Sequence, residues 1–190
     1  MRQTVALHHA SRLVNHGPTV LVTTEHQGRR NVMAAAWSMP VEFTPPRIAV
    51  VVDKKTFTSE LLQASGRFGL CLPVPALADL TYRVGSESGA CSDKFLRHGI
   101  ATFAGPALGL PLVEGCCAWL ELRRIAEPHS EQAYDTVFGE VVSAQADDRV
   151  FAAGRWSFRD DNAAWHTLHH LGGGAFAVPS HVVHGALLPA

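Results

Sequence analysis

Residues 19–26, "TVLVTTEH", are rich in β-branched side chains and alternate weakly between apolar and polar. "QGRR" then supplies turn chemistry before "NVMAAAW", so the two runs are expected to form a β-hairpin. Pro45 and Pro46 punctuate the chain, and "RIAVVVD" follows as a valine-rich run of the kind buried on both faces, a third strand ending near Asp53. The period then changes. In "KKTFTSELLQASGRF", Thr58 is placed to cap a helix, Glu60 falls in its first turn, Leu61 and Leu62 bury, and Gly66 suits the C-terminal stop. "FGLCLP" returns to strand character, and "PALADLTYRVG" sets Leu77, Leu80, Tyr82 and Val84 near helical spacing between a proline and a glycine. "GSESGACSDKF" reads as an ordered loop. "GCCAWLELRRI" and "YDTVFGEVVSAQ" read as two long strands that pair, joined by a polar connection containing Pro128. The tail "WHTLHHLGGGAFAVPS" offers a helical turn, a glycine cluster and a short apolar strand. Strands that mostly follow one another, with short helices inserted, predict a mainly β antiparallel barrel rather than a doubly wound parallel sheet.

At 190 residues the chain has the length of one domain, and residues 1–190 are read as one. Hydrophobic residues make up 47% and charged residues 17%, a low charge fraction that fits surface buried between subunits. A formal net charge of -1 removes any general attraction to nucleic acid or an anionic membrane. The opening residues hold no uninterrupted apolar core of leader length, and no run reaches the roughly 18 apolar residues of a membrane span, so a cytoplasmic location is expected. Cys71, Cys91, Cys116 and Cys117 form no CxxC pair and are read as buried, reduced thiols.

Two segments combine cations with hydroxyls. In "DKKTFTSELL", residues 53–62, Lys54 and Lys55 precede a helix whose free N–H groups favour an anion, with Thr56 and Thr58 as hydroxyl donors. In "SGACSDKF", residues 88–95, a Ser-Gly loop can turn amides inward while Lys94 adds positive charge. A phosphate suits both, although solvated lysines at a helix start give the same pattern. "GGGAFA" at 172–177 satisfies G-x-G-x-x-A, but residues up to 190 leave no room for the helix, strand and acidic residue of a dinucleotide-binding unit. "GSESG" lacks the central serine of a nucleophile elbow. His166 and His170 are spaced i, i+4, with His169 between them, but no carboxylate accompanies them at helical spacing; capping, packing or subunit contact is the preferred role, and no metal is expected. Three alanines before Trp37 leave a groove floor made of backbone, whose N–H and C=O groups can read the edge of a flat heterocycle; close strand packing accounts for the same residues equally well.

Taken in order, "NVMAAAWSMPVEFTPPRIAVVV", "KKTFTSELL" and "SGACSDKF" make the chain resemble the flavin reductase-like family, particularly its flavoredoxin branch, from about residue 15 to residue 145; the "LHHLGGGAFAV" ending is similar too. The resemblance implies a split β-barrel binding FMN, usually as a homodimer with the isoalloxazine near the subunit boundary. It places Asn31, Met33, Ala34, Ala35, Ala36 and Trp37 beside the ring. Val52, Asp53, Lys54 and Lys55 would line the ribityl chain and Thr58 would meet the phosphate, with Ser88, Gly89, Lys94 and Phe95 completing that site. Ala35 and Ala36 stand where Thr or Ser is frequent in the family, which shifts ring recognition to the backbone. Asp53 replaces a frequent neutral hydroxyl and is expected to face Lys54 or Lys55. Tyr134 and Asp135 stand in place of a frequent Asp-His, so no role of that histidine carries over.

By the same resemblance, NADH or NADPH would donate hydride to FMN and an unidentified acceptor would take the electrons onward. No acid or base is required of the protein for hydride delivery, and none is nominated. An FMN-binding protein without turnover, acting in storage or sensing, is the alternative, and loss of flavin altogether a third.

Overall fold

The computed structural model describes residues 17–186; the reading of the opening residues for a leader falls largely outside this range. The predicted hairpin is present as β1 (Val20–His26) and β2 (Arg29–Ala35), closed by Gln27 and Gly28 at φ 51 and 77. Positive φ at both loop residues is the turn geometry that matches strand twist in a two-residue hairpin.

The chain then does something the apolar pattern did not announce. "SMPVEF" forms β3 (Ser38–Phe43), so the valine-rich run is the fourth strand, β4 (Pro46–Val51), and not the third. It is followed by α1 (Phe57–Ser65), β5 (Arg67–Leu72), a 3-10 turn (Pro75–Leu77) running into α2 (Ala78–Ser86), and the one-turn α3 (Lys94–Arg97). A small hairpin, β6 (Thr102–Ala104) with β7 (Pro111–Val113), leads to the long strands β8 (Ala118–Ile125) and β9 (Thr136–Ala146), which pair as expected. The connection containing Pro128 is helical, α4 (Pro128–Tyr134), with Pro128 in its first turn where a missing N–H costs nothing. Two short hairpins close the described chain: β10 (Phe151–Ala152) with β11 (Arg155–Trp156), and β12 (His169–Gly172) with β13 (Ala175–Ala177).

The main sheet is antiparallel throughout, in the order β2-β1-β5-β8-β9-β4-β3. Its two edge strands, β2 and β3, are consecutive in sequence and separated only by Ala36 and Trp37. The three Cα–Cα steps from Ala35 to Ser38 reach about 11 Å at most. The sheet must therefore curl until its first and last strands meet, which makes a barrel split along that seam.

Alternate residues of each strand fill two cores. Val20, Val22, Val50, Phe68, Leu70 and Leu122 pack inside the barrel, while Leu21, Val32, Cys71, Val84, Phe95 and Leu112 pack between its outer face and the helices. Glu121 is fully buried, and its carboxylate accepts hydrogen bonds from the amides of Ala107 (2.7 Å), Leu108 (2.8 Å) and Leu110 (3.4 Å), fixing the β6–β7 loop. All four cysteines are free, but Cys91 is exposed, contrary to the sequence expectation, because its loop lies on the surface. Among the described residues no helix is long and apolar enough to cross a membrane.

Candidate functional site

The site forms along the open edge of β2. With a two-residue loop closing on His26–Arg29, alternate residues of β2 turn N–H and C=O away from β1, and Arg30, Val32 and Ala34 are the ones that do so. Helix α2 covers this edge closely because small residues meet there: a Cβ built on Gly85 would lie 3.1 Å from the Cβ of Ala34. Ala35 instead enters the barrel core, and Ala36 lies in the seam. The three alanines thus meet three different constraints.

Two cavities follow one another along the strand. The first, about 310 Å³, is bounded by Ala34, Ala35, Ala36 and Trp37, by Thr81 and Tyr82 of α2, and by His170 and Phe176 of the last hairpin. The second, about 240 Å³, has Asn31, Met33, Lys55, Thr58, Ser88, Gly89 and Lys94 in its walls. Gly85 and Ser86 border both, so the two form one trough. Trp37 is 50% exposed, while its carbonyl accepts from Val51 N at 3.0 Å; the backbone is fixed at the mouth and the indole is free to cover a ligand.

Most sequence nominees therefore come together, but four do not. Val52 is buried in the barrel core, and Phe95 in the outer core beneath the Arg30 guanidinium, 4.6 Å from the ring centroid. Lys54 turns away, donating to Gln132 O at 2.7 Å and pairing with Asp135 at 3.3 Å. Asp53 accepts from the backbone amide of Lys55 at 2.8 Å, so it meets that lysine's main chain and not an ammonium. The α1 cap is Thr56, which accepts from Ser59 N, and not Thr58. Thr58 is buried and accepts from Asn31 Nδ2 at 2.8 Å, holding that amide in the second cavity. His166 and His170 do not share a helix face: His166 ends a 3-10 segment, His170 sits in β12, and no metal-competent cluster exists among the described residues.

Lys94 departs furthest from a surface clamp. Asp93 caps α3 by accepting from Phe95 N and Leu96 N, which aims Lys94 inward to 2% exposure. Its ammonium donates to Val32 O at 2.9 Å and Val84 O at 2.7 Å. Val84 O is among the last carbonyls of α2, which lack helical partners, and Val32 O faces off the sheet edge. Lys94 thus ties both walls of the trough together. Burial pushes its pKa down to about 8, against the pull of the Glu87 carboxylate. Glu87 lines the second cavity but is bonded by His98 Nε2 at 3.1 Å and paired with Arg97; the His98 bond above all holds its carboxyl below the usual range, with burial opposing.

Several buried polar atoms remain without a partner, among them Asn31 Oδ1 in the second cavity and Thr19 Oγ1 and Thr81 Oγ1 in the first. Buried polar atoms are nearly always satisfied, so these call for a ligand or water. Together with the Lys94 ammonium, whose third proton is not used by the two carbonyls, they fit an elongated molecule with a polar-edged ring and an anionic tail. Thr19, Thr81 and Phe176 escaped sequence reasoning, and Tyr82 and His170 were read there only as a residue at helical spacing and as a capping, packing or contact histidine; the helical spacing of "PALADLTYRVG" marked α2, but nothing in it marked Thr81 as facing β2.

A split antiparallel barrel with such a trough at its seam is the architecture of proteins that bind flavin mononucleotide. The chain belongs to the flavin reductase-like family: the family model described as "Flavin reductase like domain" matches residues 12–167. It is 57% identical over 175 residues to an uncharacterized protein, YddH, of Escherichia coli (strain K12), covering 90% of this chain and 92% of that protein. An FMN-binding domain of a flavin reductases-like enzyme from Shewanella baltica OS155 superposes with a TM-score of 0.86 at 42% identity, over 97% of each chain. Flavoredoxin of Desulfovibrio vulgaris (Miyazaki F) shares the fold, with a TM-score of 0.74 at 24% identity over 97% of this chain and 94% of that one.

Proposed function

We propose that the chain is an FMN-binding oxidoreductase that takes reducing equivalents from NADH or NADPH and delivers them to an acceptor. The observation that carries this is the two-part trough, with unpartnered Thr19, Thr81 and Asn31 atoms and a buried ammonium between its walls. FMN, when bound, supplies the chemistry, accepting a hydride and passing electrons on. The protein's part is placement. The outward N–H and C=O groups of Ala34 and the hydroxyls of Thr19 and Thr81 meet the polar edge of the ring, and Trp37 covers it. Thr58 and Asn31 order the middle of the trough, while Lys55, Ser88, Gly89 and the Lys94 ammonium receive the phosphate.

The proposal includes a homodimer. The edge strand β3 presents Met39 and Phe43 at 60% and 92% exposure, next to Trp37, and an apolar sheet edge of this kind is a surface that soluble proteins cover. A second copy there would shield the seam and the mouth of the ring cavity together. Light scattering tests this: a dimer is expected, and Phe43→Asp should return it to monomer.

The decisive experiment is steady-state oxidation of NADH and NADPH by the purified chain with added FMN and an artificial acceptor. Turnover well above the free-flavin background is expected. FMN uptake without turnover would leave a storage or sensing protein, and failure to take up FMN would reject the reading.

A further inference from the structure

A separate cavity opens on the outer face of the sheet, beside the start of α4, and shares no wall residue with the trough. Val137 faces the barrel core, so its neighbour Phe138 faces out and forms one wall; Val41 of β3 and Ile125 of β8 form the other apolar walls. Glu42 and Glu127 border the cavity, and Arg47 of β4 enters it. It measures about 260 Å³. At ~30 Å³ per water molecule that is room for on the order of nine, and so for a body of leucine's size.

The Arg47 cation has no answer within the fold. In the sheet register it lies opposite Glu42 on β3 and opposite Glu140 on β9, positions from which opposite charges pair across strands. Neither glutamate does so. Glu42 turns its carboxylate back to accept from the amide of Phe43 at 2.7 Å. Among the described residues Arg47 makes no ion pair and no hydrogen bond, and its Nε–H is shut off from solvent without an acceptor. A buried donor left unsatisfied is costly, and a guanidinium presents Nε–H and an Nη–H side by side as a fork that fits a carboxylate with two parallel bonds. The partner that fits Arg47 is therefore a carboxylate from outside these residues. The rim restricts it further. Glu42 and Glu127 against one arginine leave the border with a formal excess of one negative charge, which opposes a ligand that is only anionic. Glu127 stands at the cap position of α4 but makes no side-chain cap bond, so its carboxylate is open to an ammonium.

We propose that this cavity binds an α-amino acid with an apolar side chain: Arg47 takes the carboxylate, Glu127 with Glu42 takes the ammonium, and Val41, Ile125 and Phe138 enclose the side chain. The site stands or falls independently of the flavin reading. The test is calorimetry on the full chain with L-leucine, with isocaproate, which lacks the ammonium, and with isoamylamine, which lacks the carboxylate. Saturable binding of leucine is expected, with each analogue at least tenfold weaker, the scale of one charge-assisted hydrogen bond. Arg47→Gln should lose at least tenfold for leucine. Without ligand it should melt no lower than the parent, because Arg47 bonds nothing among the described residues. Glu127→Gln, an exposed change, should weaken leucine several-fold and leave isocaproate no weaker. Isocaproate binding as tightly as leucine, or no saturable heat at about 10 mM ligand, overturns the site. A lowered melting temperature in Arg47→Gln with leucine binding retained assigns the arginine a structural role and overturns it too. Light scattering covers the remaining source of a carboxylate: if Arg47→Gln separates a dimer into monomers, the partner of Arg47 is a second copy of the chain and the amino-acid site is overturned.

Discussion

Replacing Lys94 by methionine separates what its charge costs from what it holds. Folding carries the ammonium from a pKa of 10.5 to about 8, which corresponds to about 3 kcal/mol of stability surrendered below pH 8. The methionine variant recovers that term but leaves Val32 O and Val84 O without their donor, at about 1–3 kcal/mol each. The two effects largely offset, and a net loss of no more than about 3 kcal/mol is expected from urea denaturation near neutral pH. Ligand affinity has no such compensation, so FMN binding should fall about tenfold or more as a cationic contact is lost. The pH dependence gives an independent check. Between about 8 and 10.5 the folded chain has released the Lys94 proton while the unfolded chain retains it, so this group makes the parent more stable as pH rises through that window. The Cys117 thiol, which burial pushes up to about 12, acts in the opposite sense above its ordinary 9.0, and subtracting the variant from the parent removes it. A parent-minus-variant stability difference that stays flat from pH 7 to 10, or FMN affinity unchanged by the substitution, would refute the reasoning.

Three further substitutions probe other parts of the structure. Gly89→Ala would place a Cβ 2.0 Å from Asn31 Oδ1, forcing the amide out of the second cavity; FMN titration should show at least a tenfold loss, with far-UV circular dichroism unchanged. Thr81→Val removes a buried hydroxyl that has no partner in the protein, so thermal stability should hold or rise slightly while FMN affinity falls several-fold. Glu121→Gln turns an all-acceptor group into one that presents a donor to three loop amides, and a loss of about 3 kcal/mol in urea denaturation is expected, with little change in FMN affinity for whatever fraction remains folded.

What the sequence revealed depended on how local the cause was. The β1–β2 hairpin was legible because β-branched runs flank a turn-forming Gln-Gly, and α1 because Leu61, Leu62 and Gly66 are set by their own neighbours. Strand β3 was missed because Pro40 interrupts it and its apolar residues face outwards, so neither periodicity nor burial marks it; it pairs only with β4, and a proline is tolerated at such an edge. The cap was misassigned between Thr56 and Thr58 because two threonines stand two positions apart, and only Asn31, 27 residues earlier, decides which one turns inward. Lys94 was visible as a cation near the site, but "SDKF" cannot reveal that its side chain passes between β2 and α2. The unpartnered hydroxyls of Thr19 and Thr81 were hidden for the same reason.

The seam explains why fold and site are inseparable in this chain. Because β2 and β3 are the two edges of one sheet and only Ala36 and Trp37 join them, the barrel cannot close by hydrogen bonds there, and the outward edge of β2 is left open beside the join. An open edge is costly unless something reads it. Helix α2 covers part of it through the Gly85–Ala34 contact, and Lys94 satisfies Val32 O; what remains along Ala34 and beyond is the trough. The small residues of "NVMAAAW" are therefore not a groove evolved on a finished barrel. They are the residues that let the sheet turn its corner, and the backbone they leave uncovered is the surface available to a planar ligand.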